Sequence, residues 1–313
     1  MKLFASVIVG FCSIPIANAF TFRNPSGQYV SQLYSTRSAV GYGSGVRVNG
    51  DEDSELAYGS SRSLQNRNTG LAELKDAAEV FDTAPTVTVQ GSTLRTCSFD
   101  STVDRVQVCL RTEGRPLTAN VELWQGPDNT PQKIGVYLED GADRPFNSII
   151  ETPSGTNSIA IRNSGMMEFP LSAAIEPTES LEGRATENPA LVLARNSKPR
   201  TVQGGAVYTV PFSPGVASVQ VCLKTDGRPL NARVELLQGP NNNKQVLELY
   251  SEDGRVRPFF AVIETPGSGN VVRIVNTSTV EYPLSAHVEP FMIDPRYEEG
   301  GVGGGSAGLQ WSD

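Results

Sequence analysis

The chain has 313 residues, 26 Lys+Arg against 34 Asp+Glu, a net charge of -8 and 38% apolar residues. This acidic balance argues against a nucleic-acid surface, which would be basic, and the length leaves room for two domains of ordinary size. Only the first residues, "MKLFASVIVGFCSIPIANAF", are apolar enough to meet a membrane.

That opening stretch has Lys2, an apolar run and the small-x-small pattern "ANA", which marks residues 1–19 as a signal peptide. It is too short for a transmembrane span. Residues 20–50 contain Arg23, Arg37 and Arg47, many Ser and Gly, and no Asp or Glu. Such a composition belongs to plastid transit peptides, so residues 20–70 are assigned to a transit-like, disordered segment; plain secretion is the alternative. Next, Leu71, Leu74, Ala78 and Phe81 fall near helical spacing, and the pattern predicts a short amphipathic helix over 71–81 within a lead-in that ends at 87.

Two copies of one unit follow. With a constant offset of 113 and no gap, residues 88–177 align with residues 201–290, and about half of the positions are identical. Shared blocks include "VQVCL", "GRPL", "VEL", "QGP", "EDG" with "RPF", "IETP" and "PLSA". Inside each copy the period is two: Val106, Val108 and Leu110 alternate with Gln107, Cys109 and Arg111. Gly and Pro punctuate seven or eight short runs per copy, which predicts an all-β protein of two tandem antiparallel β-sandwich, jelly-roll-like domains. Residues 178–200 form the linker, where "PALVLAR" reads as a short strand or a turn of helix. Residues 291–313 form a Gly-rich tail ending in "AGLQWSD".

Catalytic equipment is hard to find. The single histidine, His287, has Ala174 as its counterpart and reads as a strand or surface residue. Without a second His, or Cys at ligand spacing, zinc is not expected, and no nucleotide or hydrolase motif occurs. No catalytic residue, cofactor or metal is assigned. Glu139–Asp140 and Glu252–Asp253 read best as turn residues, with Asp140 and Asp253 capping the turn before Gly141 and Gly254 and with Arg144 or Arg257 paired to a nearby carboxylate. Cys97, Cys109 and Cys222 make a poor disulfide framework, and Cys109 and Cys222 read as reduced and half-buried. Asn276–Thr277–Ser278 is a glycosylation sequon, which favours the secretory alternative.

Candidate contacts are more prominent than candidate catalysts. Arg115 and Arg228, each held between Gly and Pro, spend little backbone entropy when the guanidinium engages a carboxylate, in their own domain or on a neighbour. Trp124, whose counterpart is Leu237, sits at an outward strand position where aromatics anchor interfaces; covering the open end of a sandwich is the alternative. Leu309 and Trp311, at the end of "GGVGGGS", form a tethered docking peptide.

The leader, the two ungapped copies and the blocks "GRPL-x-A-x-VEL-x-QGP", "EDG-xx-RPF" and "IETP" resemble the pyrenoid shell proteins of diatoms and related algae over residues 88–290. Such a resemblance implies a non-enzymatic building block that assembles with itself into a sheet or tube around the Rubisco-filled pyrenoid, supporting CO2 concentration and fixation. It implies location at the pyrenoid periphery in the stroma of a secondary plastid, reached by a bipartite leader. Partners implied are further copies of the chain, related shell proteins and the Rubisco matrix, with no nucleic acid and no transmembrane segment. A tandem carbohydrate-binding or other ligand-binding module is the alternative, with Trp124, Tyr137 and Tyr250 as its aromatics.

Overall fold

The structure is a computed structural model and describes residues 74–153, 155–179, 188–240 and 242–294. The signal peptide, the transit-like tract and the tail with Leu309 and Trp311 lie outside the described residues. The first repeat comprises α1 (Ala77–Thr83), β1 (Thr86–Val89), β2 (Leu94–Phe99), β3 (Val103–Arg111), β4 (Leu117–Gln125), β5 (Asn129–Leu138), β6 (Phe146–Glu151), β7 (Asn157–Asn163) and β8 (Leu171–Glu179). The second comprises α2 (Pro189–Asn196), β9 (Arg200–Val202), β10 (Val207–Pro211), β11 (Val216–Lys224), β12 (Leu230–Gln238), β13 (Asn243–Ser251), β14 (Phe259–Glu264), β15 (Asn270–Asn276) and β16 (Leu284–Ile293). Every strand of one repeat thus has its counterpart in the other.

Two antiparallel eight-stranded sheets face each other. Sheet I has the order β1-β8-β3-β6-β14-β11-β16-β9, and sheet II the order β10-β15-β12-β13-β5-β4-β7-β2. Each order reads the same from either end once strands are exchanged for their repeat equivalents. Both repeats therefore contribute half of each sheet, and hydrogen bonds run across the joint, β6 to β14 and β5 to β13. Alternating residues of both repeats, including the fully buried Phe146 and Phe259, merge into one apolar core between the sheets. Registers at the joint pair Ser148 with Ala261 and Gly135 with Glu248, positions related by the offset of 113, as a local two-fold between repeats requires.

Further bonds clasp the joint in reciprocal pairs. Glu139 N donates to Lys244 O (2.9 Å) and its equivalent Glu252 N to Pro131 O (2.8 Å). Arg144 Nη2 donates to Gln238 Oε1 (3.3 Å), and Arg257 Nη2 to Gln125 Oε1 (2.8 Å). Each arginine thus reaches an amide of the opposite repeat, while the Glu252 and Asp253 carboxylates act on Arg257 from its own turn, in line with the carboxylate expected nearby. Both arginines are buried, and each places one Nη2 on a neutral amide acceptor of the other repeat. The turn function of the acidic pairs holds: Asp140 Oδ1 accepts from Ala142 N and Asp143 N, and Asp253 Oδ1 from Arg255 N and Val256 N.

Helix α1 begins later than its periodicity predicts. Asp76 is its N-cap, in extended conformation with Oδ1 accepting from Glu79 N (2.7 Å), so Leu74 precedes the helix and packs as part of the lead-in. "PALVLAR" becomes α2, capped by Asn188 and started by Pro189. An offset of 113 places Ala77–Thr83 on residues 190–196, so the repeat includes its helix, although only Ala77 and Ala190 match there. Each helix covers the outer face of sheet I. Val80 and Phe81 of α1 pack with Cys109, while Ala190 and Leu193 of α2 pack with Cys222 and Phe260. Cys109 and Cys222 are consequently fully buried rather than half-buried, which corrects the two-faced strand reading: the face opposite the core is itself covered. Both are free thiols, and burial pushes Cys222 up to about 12 and Cys97 to about 11.

Candidate functional site

The turn "GRPL" joins β3 to β4, and its arginine reaches across to the loop between β7 and β8. Arg115 Nη1 donates to Glu168 O (3.3 Å) and its guanidinium lies 6.0 Å from the Phe169 ring centroid. Arg228 repeats this on Glu281 O (2.8 Å) and the Tyr282 ring (5.6 Å), with Asp226 Oδ1 3.6 Å from its Nε. Within the chain the partners in repeat 1 are a backbone carbonyl and an aromatic face, and repeat 2 adds the expected carboxylate from its own turn. Both arginines are exposed, so the stack is a surface cation–π contact worth about 0.5–1 kcal/mol.

The loop that these arginines hold is braced from three further directions. Asn163, the last residue of β7, donates through Nδ2 to Val89 O (3.0 Å) and Phe169 O (2.8 Å) and accepts from Gly165 N (2.9 Å). Asn276 does the same with Val202 O (2.9 Å), Tyr282 O (2.8 Å) and Ser278 N (3.0 Å). Phe169 N closes the loop on Met166 O (2.9 Å), and Tyr282 N on Thr279 O (3.0 Å). Gly91 and Gly204 press against the same carbonyls: a Cβ on either would lie 1.7 Å from Met166 O or Thr279 O. Asn276 is also the sequon asparagine; buried and committed to three bonds, it is closed to glycosylation in the folded chain.

On this fixed backbone the side chains at the tip point into solvent. Met167 is 79% exposed and its equivalent Val280 73%, the two most exposed large apolar residues among the described residues, with Met166 at 67%. Sequence reasoning missed this feature, because neither "SGMMEFP" nor "TSTVEYP" carries a motif. Its signal was an apolar residue at the same place in both copies, inside a loop.

Trp124 lies, as expected, on the outer face of sheet II, at a bulge in the β4–β5 pairing, with Nε1 donating to Glu122 Oε2 (2.9 Å). Tyr137 and Tyr250 share that face near the joint, 39% and 38% exposed. Among the described residues no helix covers this face, whereas α1 and α2 lie on sheet I. His287 is a buried strand residue: it pairs with Cys222 in register, its Nδ1 is 2.8 Å from Ser197 Oγ, and burial and then Lys224 lower its pKa. Among the described residues, no three His, Cys, Asp or Glu side chains cluster so as to hold a metal ion, and no helix is long and apolar enough to cross a membrane.

A family model for the diatom pyrenoid shell protein matches residues 81–290, which spans both repeats. The chain belongs to that family. The shell-family match begins inside α1 and ends in β16, so it covers both sheets, the joint and both braced loops. No curated protein matches the shell-family sequence. Among solved structures, vicilin from tomato is 8% identical with a TM-score of 0.15, covering 65% of this chain and 75% of that one. Oxalate decarboxylase from Lactobacillus farciminis is 10% identical with a TM-score of 0.17, over 68% of this chain and 86% of that one. A single-residue variant of oxalate decarboxylase from B. subtilis is 11% identical with a TM-score of 0.16, over 74% and 76%. Scores this low carry no weight for the function of the shell-family chain.

Proposed function

We propose that the chain is a non-enzymatic structural protein of the plastid that self-assembles into a sheet-like shell around the Rubisco-containing pyrenoid and supports CO2 concentration there. Family membership supports the pyrenoid. The observation that carries self-assembly is the duplicated architecture: one sandwich with a strand order that reads alike from both ends. Such a body presents many of its surface features twice, and like contacts made from two sides extend an array instead of closing it. Arg115, Arg228, Trp124 and the tail residues Leu309 and Trp311 are the contacts proposed from the sequence; the two arginines act through the loops they brace. Partners on this reading are further copies of the chain, related shell proteins and the pyrenoid matrix.

Negative-stain electron microscopy of the purified mature chain, over a range of concentration and salt, tests the reading. Sheets or tubes with a regular repeat are the expected result. Discrete monomers or dimers at every concentration, combined with binding on a glycan array, would instead favour a module that uses Tyr137 and Tyr250.

A further inference from the structure

Helix α2 breaks the likeness between repeats at one place. In repeat 1, Phe81 fills the space between α1 and sheet I, and the Arg111 guanidinium caps its ring at 4.0 Å from the centroid. The equivalent residues in repeat 2 are Ala194 and Lys224. Replacing Phe by Ala there leaves an open hollow of about 290 Å³, lined by Leu191, Ala194, Arg195 and Lys224. Leu191 on its rim is 50% exposed. Its lining pairs the apolar Leu191 and Ala194 with Lys224, which takes the place of Arg111.

The braced loop tips have the matching character. Each presents an exposed apolar side chain followed directly by an exposed glutamate, Met167–Glu168 in repeat 1 and Val280–Glu281 in repeat 2. Because Gly91, Asn163 and Arg115 hold the first tip, and Gly204, Asn276 and Arg228 the second, neither has to be ordered on contact. Preorganisation of this kind spares the entropy that a flexible loop loses on binding. A side chain of Met or Val size suits the space that a Phe occupies in the other repeat, and the adjoining carboxylate suits Lys224.

We propose that the Met167 and Val280 tips of one copy of this chain dock into the Leu191–Ala194 hollow of a second copy, with Glu168 or Glu281 against Lys224. The inference rests on the self-assembly reading and names its contact. The contact joins unlike surfaces, so a copy added through its socket brings two fresh tips, a copy added through one tip brings a fresh socket and a second tip, and the array continues.

The test uses two variants of the mature chain: Met167→Asp with Val280→Asp, which removes both tips, and Ala194→Phe, which fills the socket with the side chain that the same position holds in repeat 1. Unchanged far-ultraviolet spectra and cooperative melts show that both are folded; Ala194→Phe copies a packing already present in the molecule. Microscopy and sedimentation of each alone should show the concentration needed for assembly raised by about tenfold or more, the scale of a lost interface anchor. Mixed together, the two variants should regain a limited complex, because the tips of Ala194→Phe still meet the socket of the tipless variant, with no more than two tipless chains per partner. Assembly of both variants at the wild-type concentration overturns the tip-and-socket contact and leaves self-assembly standing. A wild-type chain that never assembles overturns the self-assembly reading and the contact with it. Loss in both variants without complex on mixing overturns the pairing of tip with socket.

Discussion

Gly91 and Gly204 stand where two loops touch, and the reason for glycine is distance. A methyl group at either position would fall 1.7 Å from a backbone carbonyl oxygen that is itself hydrogen-bonded in the next loop. Backbone on both sides makes relief expensive, so Gly204→Ala should destabilise the chain by about 1–3 kcal/mol or more, the range of overpacking. It should also displace the Val280 tip. Urea denaturation gives the first quantity; protease cleavage at the 277–283 loop, rising in the variant and absent in wild type, reads the second. A surface site away from the loop, such as the exposed Asp128, changed to Ala should do neither, and equal effects there would remove the contact argument. Both glycines sit in the shared block "VQG", yet the sequence could not say why, because their partner carbonyls lie 75 residues further along the chain.

Strands were legible because their alternation survives without knowledge of neighbours; the helices and the joint were not, for two different reasons. Only one residue in seven matches between α1 and residues 190–196, so identity alone starts the repeat at Thr88. What the helices share is a burden, covering Cys109 and Cys222, that several apolar side chains can bear. The joint is invisible because β5 and β13 alternate in the same way whether their outer edges meet each other or water. The helix caps differ in a way that has a pH consequence. Glu151 lies beside Arg105 and accepts from Asn188, the cap of α2 (2.6 Å), whereas its equivalent Glu264 pairs in register with Ser218 and feels Asp76, the cap of α1. Burial first, and Asp76 second, raise Glu264 to about 7. Above pH 7 both folded and unfolded chains carry this carboxylate ionised, and the folded chain bears the whole cost of the buried charge. Below 4.5, the ordinary value, both are protonated and the cost vanishes. Stability therefore falls as pH rises from 4.5 through 7, by up to roughly 3 kcal/mol for this group. Glu264→Gln should flatten that part of the pH profile. Asp76→Asn, which keeps a cap of the kind α2 uses, should flatten it partly. Urea midpoints at pH 5 and pH 8 decide the matter: an equal fall in wild type and Glu264→Gln would assign the slope elsewhere.

At the scale of the molecule, the joint makes the repeats interdependent. They share both sheets and one core, so unfolding should be a single cooperative transition instead of two. Separating them asks a sharper question. Residues 74–187 alone would expose β5 and β6, and residues 188–294 alone would expose β13 and β14, each with half the core open to water. Expressed apart and mixed, the halves should combine one to one through the native joint. Each can also pair with a second copy of itself, since the Arg144–Gln238 and Arg257–Gln125 clasps exchange equivalent residues. The centre of the β5–β13 register sets the order of these pairs. In the native joint Gly135 faces Glu248. A repeat 1 homodimer places glycine against glycine, which is sterically free, whereas a repeat 2 homodimer places two glutamates directly opposite, and like charges there are destabilising. Light scattering on the purified halves should thus rank the heterodimer first, the repeat 1 homodimer second and the repeat 2 homodimer last, with the last strengthened by Glu248→Gly. A half that stays monomeric and folded at every concentration would show that the joint is a contact between complete bodies and not the middle of one.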